Sequence, residues 1–229
     1  MNNKNRWLTV ILCLTPLLLW AAGHNDANKN HQTNIPLISP NVSHLHIYDF
    51  CQDSLGYMWI ATARGLNRYN GYEFKQFFHD KKNNASLDND MIYSLFLDSR
   101  HELWVGTSIG INRYDFMNSR FSHYAMPDAS VHTFYEDKKG QLWVGTNMGI
   151  GTINIEKKSV EFYSDTTVTI REVSSIVEDG HGRLWAGTSN GLYYQNWNLR
   201  WESVPLPNKA RVTCICADPQ GVFMIGTNV

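Results

Sequence analysis

The sequence predicts an all-β chain, a β-propeller of four-stranded antiparallel blades, and three observations carry that prediction. A short phrase recurs five times: Gly56-Tyr57-Met58-Trp59-Ile60-Ala61-Thr62, then LWVGT ending at Thr107, LWVGT ending at Thr146, LWAGT ending at Thr188 and FMIGT ending at Thr227. With Trp59, Trp104, Trp143, Trp185 and Met224 as the shared position, the steps are 45, 39, 42 and 39 residues, a period that fits propeller blades or paired-helix solenoids. Within that period the apolar residues form short runs ended by Asp/Gly turns, and no stretch keeps a helical spacing long enough to compete.

The elements of the unit follow in order. Ahead of each phrase stands an Asp: Asp53, Asp98, Asp137, Asp179 and Asp218. Counting back from it, the sixth residue is Ile47, Ile92, Val131, Val173 or Val212, and the third is Phe50, Leu95, Phe134, Ile176 or Ile215. Such runs read as a short buried first strand. The Asp is expected to hold the turn by bonding the backbone two residues on. The Trp strand comes second, and six residues past each Trp stands Gly65, Gly110, Gly149 or Gly191, read as a connection that needs positive φ. A third strand begins at Leu66, Ile111, Ile150 and Leu192, and a fourth covers Phe74 to Phe78, Arg120 to Tyr124, Val160 to Tyr163 and Arg200 to Val204. Four strands in about 40 residues make one propeller blade. The Trp recurs at one place per unit between apolar neighbours, so Trp59, Trp104, Trp143 and Trp185 read as packing between blades and not as sugar platforms.

The pattern apolar-x-x-apolar-x-x-Asp-x-x-Gly-x-Leu-Trp-apolar-Gly-Thr-x-x-Gly-Leu-x-x-Tyr resembles the two-component regulator propeller repeat, found in the extracytoplasmic sensor half of hybrid histidine kinases. The resemblance covers 42–229. Departures are local: Ala61 stands where other units have Gly106, Gly145, Gly187 and Gly226, and Met224 where they have Trp. Ala and Met are both tolerated on a packed strand. The family propeller normally closes with seven blades, whereas the fifth unit here stops at Val229 after two strands. Four and a half blades are thus expected, the arc of an amino-terminal fragment. The resemblance implies a sensor of a small soluble ligand, typically an oligosaccharide released from a polysaccharide, in a homodimer. Kinase chemistry would lie downstream.

Composition agrees with a packed β-rich globule: aromatic residues make up 13% and charged residues 18%. A formal charge of −1 with scattered Lys and Arg gives no footprint for nucleic acid. Lys4 and Arg6 precede an apolar run from Trp7 to Ala22 that small residues close at Gly23, so residues 1–23 read as a secretory signal peptide and 24–41 as a polar lead-in. A signal-anchor is the competitor, though the run is short of a bilayer span. The chain is therefore expected to be periplasmic or otherwise extracytoplasmic, membrane-bound only through an uncleaved signal or a downstream part.

Neither cysteines nor catalytic motifs point to an enzyme. Cys13 lies in the apolar run without small neighbours, and Cys51, Cys214 and Cys216 read as buried small hydrophobes. There is no Gly-x-Ser-x-Gly elbow, His-Glu-x-x-His helix, phosphate loop or Cys-x-x-Cys pair. No cofactor is implied. His44 and His46 could hold a metal only with a third ligand from elsewhere and read better as a solvated strand end, and each turn Asp stands alone in its unit. A ligand should instead meet the residues that differ between units, in the loops entering the first strands and following the Trp strands. Those are Ser43, His44, Asn89, Asp90, Arg171, Glu172, Lys209 and Arg211, with Arg64, Ser108, Asn147 and Asn190. Within them Arg64, Asn89, Asp90, Asn147, Arg171, Asn190 and Arg211 are the candidate ligand-binding set. The rivals are a propeller enzyme, a lyase or glycosidase with paired carboxylates, and an interaction scaffold with a large apolar patch.

Overall fold

A computed structural model describes residues 42–164, 168–207, 210–217 and 223–228. The targeting segment, the lead-in, Lys209 and Asp218 lie outside the described residues. Among the described residues eighteen strands follow in chain order. Four antiparallel sheets each take four consecutive strands. These are β1 (Ile47–Gln52), β2 (Met58–Thr62), β3 (Gly65–Tyr69) and β4 (Phe74–Phe77), then β5 (Ile92–Leu97), β6 (Leu103–Thr107), β7 (Ile111–Asp115) and β8 (Arg120–Tyr124). The third sheet holds β9 (Val131–Glu136), β10 (Leu142–Thr146), β11 (Ile150–Asn154) and β12 (Ser159–Phe162), and the fourth β13 (Val173–Glu178), β14 (Leu184–Thr188), β15 (Gly191–Gln195) and β16 (Trp201–Val204). A two-stranded sheet of β17 (Val212–Ala217) and β18 (Phe223–Thr227) comes last. The first strands β1, β5, β9, β13 and β17 pack side by side in chain order.

The hydrophobic residues collect between sheets. Four clusters each join one sheet to the next; the first sets Trp59, Ala61 and Leu66 against Ile92, Leu95, Val105 and Tyr114. Trp59 and Trp104 are wholly buried, while Trp143 and Trp185 are half-buried, Trp143 lying against Trp201 and Trp185 against Phe223. Ile92, Val131, Val173 and Val212 are fully buried at the interfaces, yet their counterpart Ile47 on the first strand is 49% exposed. No described sheet precedes it.

Each turn Asp among the described residues does what its position implies and more. Oδ1 of Asp98 accepts the amides of Arg100 and Glu102, and its other oxygen takes the Trp104 indole at 3.1 Å. Asp53, Asp137 and Asp179 repeat the arrangement with Trp59, Trp143 and Trp185. Burial works to raise the Asp179 carboxyl, but donors from Arg183, Trp185 and His181 outweigh it and hold the group down at about 2. The repeated Thr caps the opposite turn: Thr107 Oγ1 donates to the Gly110 carbonyl at 3.2 Å and accepts the amides of Ile109 and Gly110.

The glycines divide into two kinds. Gly65 has φ +98, as the connection requires, but Gly110 does not take positive φ. Its constraint is steric instead, for a Cβ there would meet Asp88 Oδ2 at 2.6 Å. In the Trp strands, a Cβ on Gly145 would come within 2.6 Å of Val173 on the next sheet, so this Gly sets how closely sheets approach.

Candidate functional site

Every first strand carries a bulge at its second residue. The pairing steps from Ile47 to Asp49, Ile92 to Ser94, Val173 to Ser175 and Val212 to Cys214, and in the third sheet from Val131 to Thr133. Tyr48, Tyr93, His132, Ser174 and Thr213 are the extra residues. A bulge re-aims a side chain and is frequent beside active sites. After two Tyr the extra residues change to His, Ser and Thr, while the residues before them are always Ile or Val.

Where β9, β13 and β17 begin, a cleft of about 370 Å³ opens, lined by His132, Asn147, Glu172, Val173, Ser174 and Arg211. Asn147 follows the Trp strand β10; its Oδ1 accepts the Ser130 amide at 2.9 Å and its carbonyl accepts the Glu172 amide at 3.1 Å. That leaves the Asn147 amine as a donor. Glu172 has φ +47, a left-handed conformation that costs a non-glycine residue about 1 kcal/mol or more and gathers at functional sites. It lies 4.0 Å from the Arg211 guanidinium, both about half exposed. The single Ser174 hydroxyl proton is directed at the carbonyls of Val212, 2.8 Å away, and Gly187, 3.1 Å away, which leaves the Oγ lone pairs for a ligand. Burial lowers the pKa of His132, with Arg211 adding to the effect and Glu172 opposing it. The imidazole is thus held neutral near pH 7, one nitrogen donating and the other accepting. The cleft carries donors and acceptors in close alternation and opposite charges side by side, which suits a neutral ligand rich in hydroxyl groups.

The candidate set from the loops divides. Asn147 and Arg211 come together with Glu172 in the cleft. Asp90 and Asn89 serve the fold: Asp90 accepts the His79 amide through Oδ1 and the Gly65 amide through its carbonyl, and Asn89 Oδ1 accepts the Met91 amide. Asn190 likewise spends its side chain on Thr169, Thr188 and Tyr193. Ser43 is clamped by Asn67 and Thr62. Arg64 and Arg171 are exposed and do not line the cleft. His132 and Ser174 were not among the sequence candidates; their signal is variation at the position that follows a constant Ile or Val. Among the described residues no cluster of three His, Cys, Asp or Glu could hold a metal, and Cys51, Cys214 and Cys216 are free thiols.

A family model described as "Two component regulator propeller" matches residues 41–64, 86–108, 125–148 and 168–190. Among curated proteins none matches the chain. Solved structures do. The extracellular domain of the hybrid two component system BT4673 from B. thetaiotaomicron shares 22% identity at TM-score 0.68, over 80% of this chain and 26% of that one. The corresponding domain of BT3049 from the same organism shares 20% identity at TM-score 0.56, over 82% of this chain and 33% of that one. A catalytically inactive virginiamycin B lyase from Staphylococcus aureus, solved with quinupristin, shares 17% identity at TM-score 0.64, over 81% of this chain and 64% of that one. The chain thus spans about a quarter to a third of the length of the two extracellular domains. At these identities the likeness is one of fold.

Proposed function

Four matched repeats make this chain a member of the two component regulator propeller family, and on that premise we propose that it is the extracytoplasmic ligand-sensing part of a hybrid two component regulator. It binds a saccharide in the cleft between β9, β13 and β17 and leaves it chemically unchanged. The observation that carries this reading is the division of labour in the repeat. Turn Asp, Trp, Gly and Thr serve packing in sheet after sheet, while the bulge residues His132 and Ser174 gather with Asn147, Glu172 and Arg211 from the neighbouring loops into one polar cleft. Arg211 and the Asn147 amine offer donors, Glu172 and Ser174 offer acceptors, and neutral His132 offers both. That is the chemistry a run of sugar hydroxyls meets. Signalling requires the ligand to prefer one of two states, and a homodimer relayed across the membrane supplies them. Export through the residue 1–23 segment puts the cleft where polysaccharide fragments are found.

A second reading has its own support. The fold likeness to a lyase, together with a neutral His132 beside Glu172, would suit proton abstraction from a bound substrate.

A thermal-shift screen of the exported protein against mono- and oligosaccharides, with product analysis of each hit, separates the two. Ligand at 100 times its dissociation constant should stabilise the fold by about 2.7 kcal/mol, enough to move the melting curve clearly. A shift with intact ligand supports sensing, and turnover of any hit establishes the enzyme. No shift across the screen would sink the saccharide reading.

A further inference from the structure

Of the five bulged residues only His132 and Ser174 line the cleft. Tyr48 and Tyr93 continue from His132 as a line of rings. Tyr48 lies 5.1 Å from Tyr93, and Tyr93 lies 5.3 Å from His132, which already lines the cleft. His46 extends the line, stacked 4.9 Å from Tyr48 at an interplanar angle of 16°. The line therefore crosses three sheets and ends at the polar groups. None of these rings is needed to close a core: Tyr48 is 40% exposed, and Tyr93 and His132 are only half-buried. They also contrast with Ile47, Ile92 and Val131 beside them, which are the residues aligned with the interfaces.

We propose that Tyr48, Tyr93 and His132 form a stacking wall that prolongs the cleft, and that the ligand is a linear oligosaccharide of about three sugar rings, not a single sugar. The inference rests on the saccharide-sensor reading of the cleft. One ring of the ligand takes hydroxyl contacts at Asn147, Glu172 and Arg211, and the following rings lay their C–H faces on Tyr93 and Tyr48. Aromatic side chains present a large apolar face with a polar edge, which matches the two-sided character of a pyranose. Successive rings are tilted by 66° and 49°, so the wall turns as it passes from strand to strand. A rigidly flat sugar ribbon meets one ring at a time, whereas a chain that bends at each linkage meets them in sequence.

Calorimetric titration of the exported protein with malto-, cello-, xylo-, manno- and galacto-oligosaccharides, from monosaccharide to pentasaccharide, tests this. Affinity should rise with chain length up to the trisaccharide. Tyr48→Ala and Tyr93→Ala should each lower trisaccharide affinity about tenfold, the loss of one good aromatic contact. Tyr93→Phe should keep it, and so should Tyr72→Ala, at a side chain 90% exposed in a turn at the other end of the strands. Melting curves without ligand separate lost binding from lost folding, and Tyr48, being exposed, carries the result if Tyr93→Ala is unstable. Binding that ignores chain length, or that survives both alanine variants, overturns the wall while leaving the saccharide cleft standing. Failure of every sugar to bind overturns both.

Discussion

Replacing Asp98 by alanine should destabilise the fold by about 3 to 5 kcal/mol, far more than a turn residue ordinarily costs. Its side chain is fully buried, and its carboxylate accepts the Arg100 amide at 2.9 Å, the Glu102 amide at 2.9 Å and the Trp104 indole at 3.1 Å. Removing it strands three N–H groups, each worth about 1 to 3 kcal/mol when left without a partner. The two turn amides recover water as the turn loosens and fall at the low end of that range. The indole belongs to a wholly buried Trp and does not. The ion pair with Arg100 adds little, because that guanidinium is half in solvent. Urea unfolding followed by far-ultraviolet circular dichroism measures the loss. Trp104→Phe, and the pair with Asp98→Ala, complete a double-mutant cycle in which the two losses should fall short of additive by about 1 kcal/mol or more. A loss below about 1 kcal/mol for Asp98→Ala, or strict additivity, would refute the claim that carboxylate and indole act as one lock.

Three further outcomes follow from the packing and the charges. Gly145→Ala should cost about 1 to 3 kcal/mol in equilibrium unfolding, since its Cβ would collide with Val173 and Thr133, even though a buried Ala61 occupies the equivalent place of the first sheet. Phe134→Ala should cost about 3 to 5 kcal/mol, and Phe50→Ala much less, because Phe134 is 7% exposed and Phe50 is 42%; equal losses would argue that another surface covers Phe50. Burial lifts Asp49 to about 6 even though it accepts the amides of Leu95 and Phe50. A carboxyl raised in the folded state above its unfolded value of 3.8 adds stability at low pH and loses it as pH climbs through the folded value. Melting temperature should therefore gain a contribution as pH falls from 6 towards 4, and Asp49→Asn should flatten that part of the profile.

The sheets were legible in the sequence because each strand announces itself by a period: apolar residues three apart, an Asp, a Trp, a Gly at fixed offset. The fourth strands came within a residue of their observed limits, as Arg120–Tyr124 shows. What escaped was whatever depends on a neighbouring sheet. Asp98 could be read as a turn former from its own five residues, but its bond to Trp104 needs the fold of the strand behind it. Gly110 looked like a φ requirement and is a contact with Asp88. The site was legible only in part for the same reason. Asn147 and Arg211 stood out as polar loop residues, yet so did Asp90 and Asn190, and nothing local distinguishes a side chain spent on the adjoining turn from one left for a ligand. His132 and Ser174 escaped because a bulge is a slip in register between two strands, invisible in either strand alone.

The central claim, that the variable residues at the start of β9, β13 and β17 bind a saccharide and do not transform it, is tested most directly at Arg211. Titration of the oligosaccharide that gives the largest thermal shift into the native protein and into Arg211→Ala, with the ligand recovered and analysed by mass spectrometry, gives the answer. The account predicts saturable binding to the native protein, affinity reduced about tenfold or more in the variant, and ligand recovered unchanged. Equal affinity in both proteins, or recovery of a cleaved or eliminated product, would contradict it.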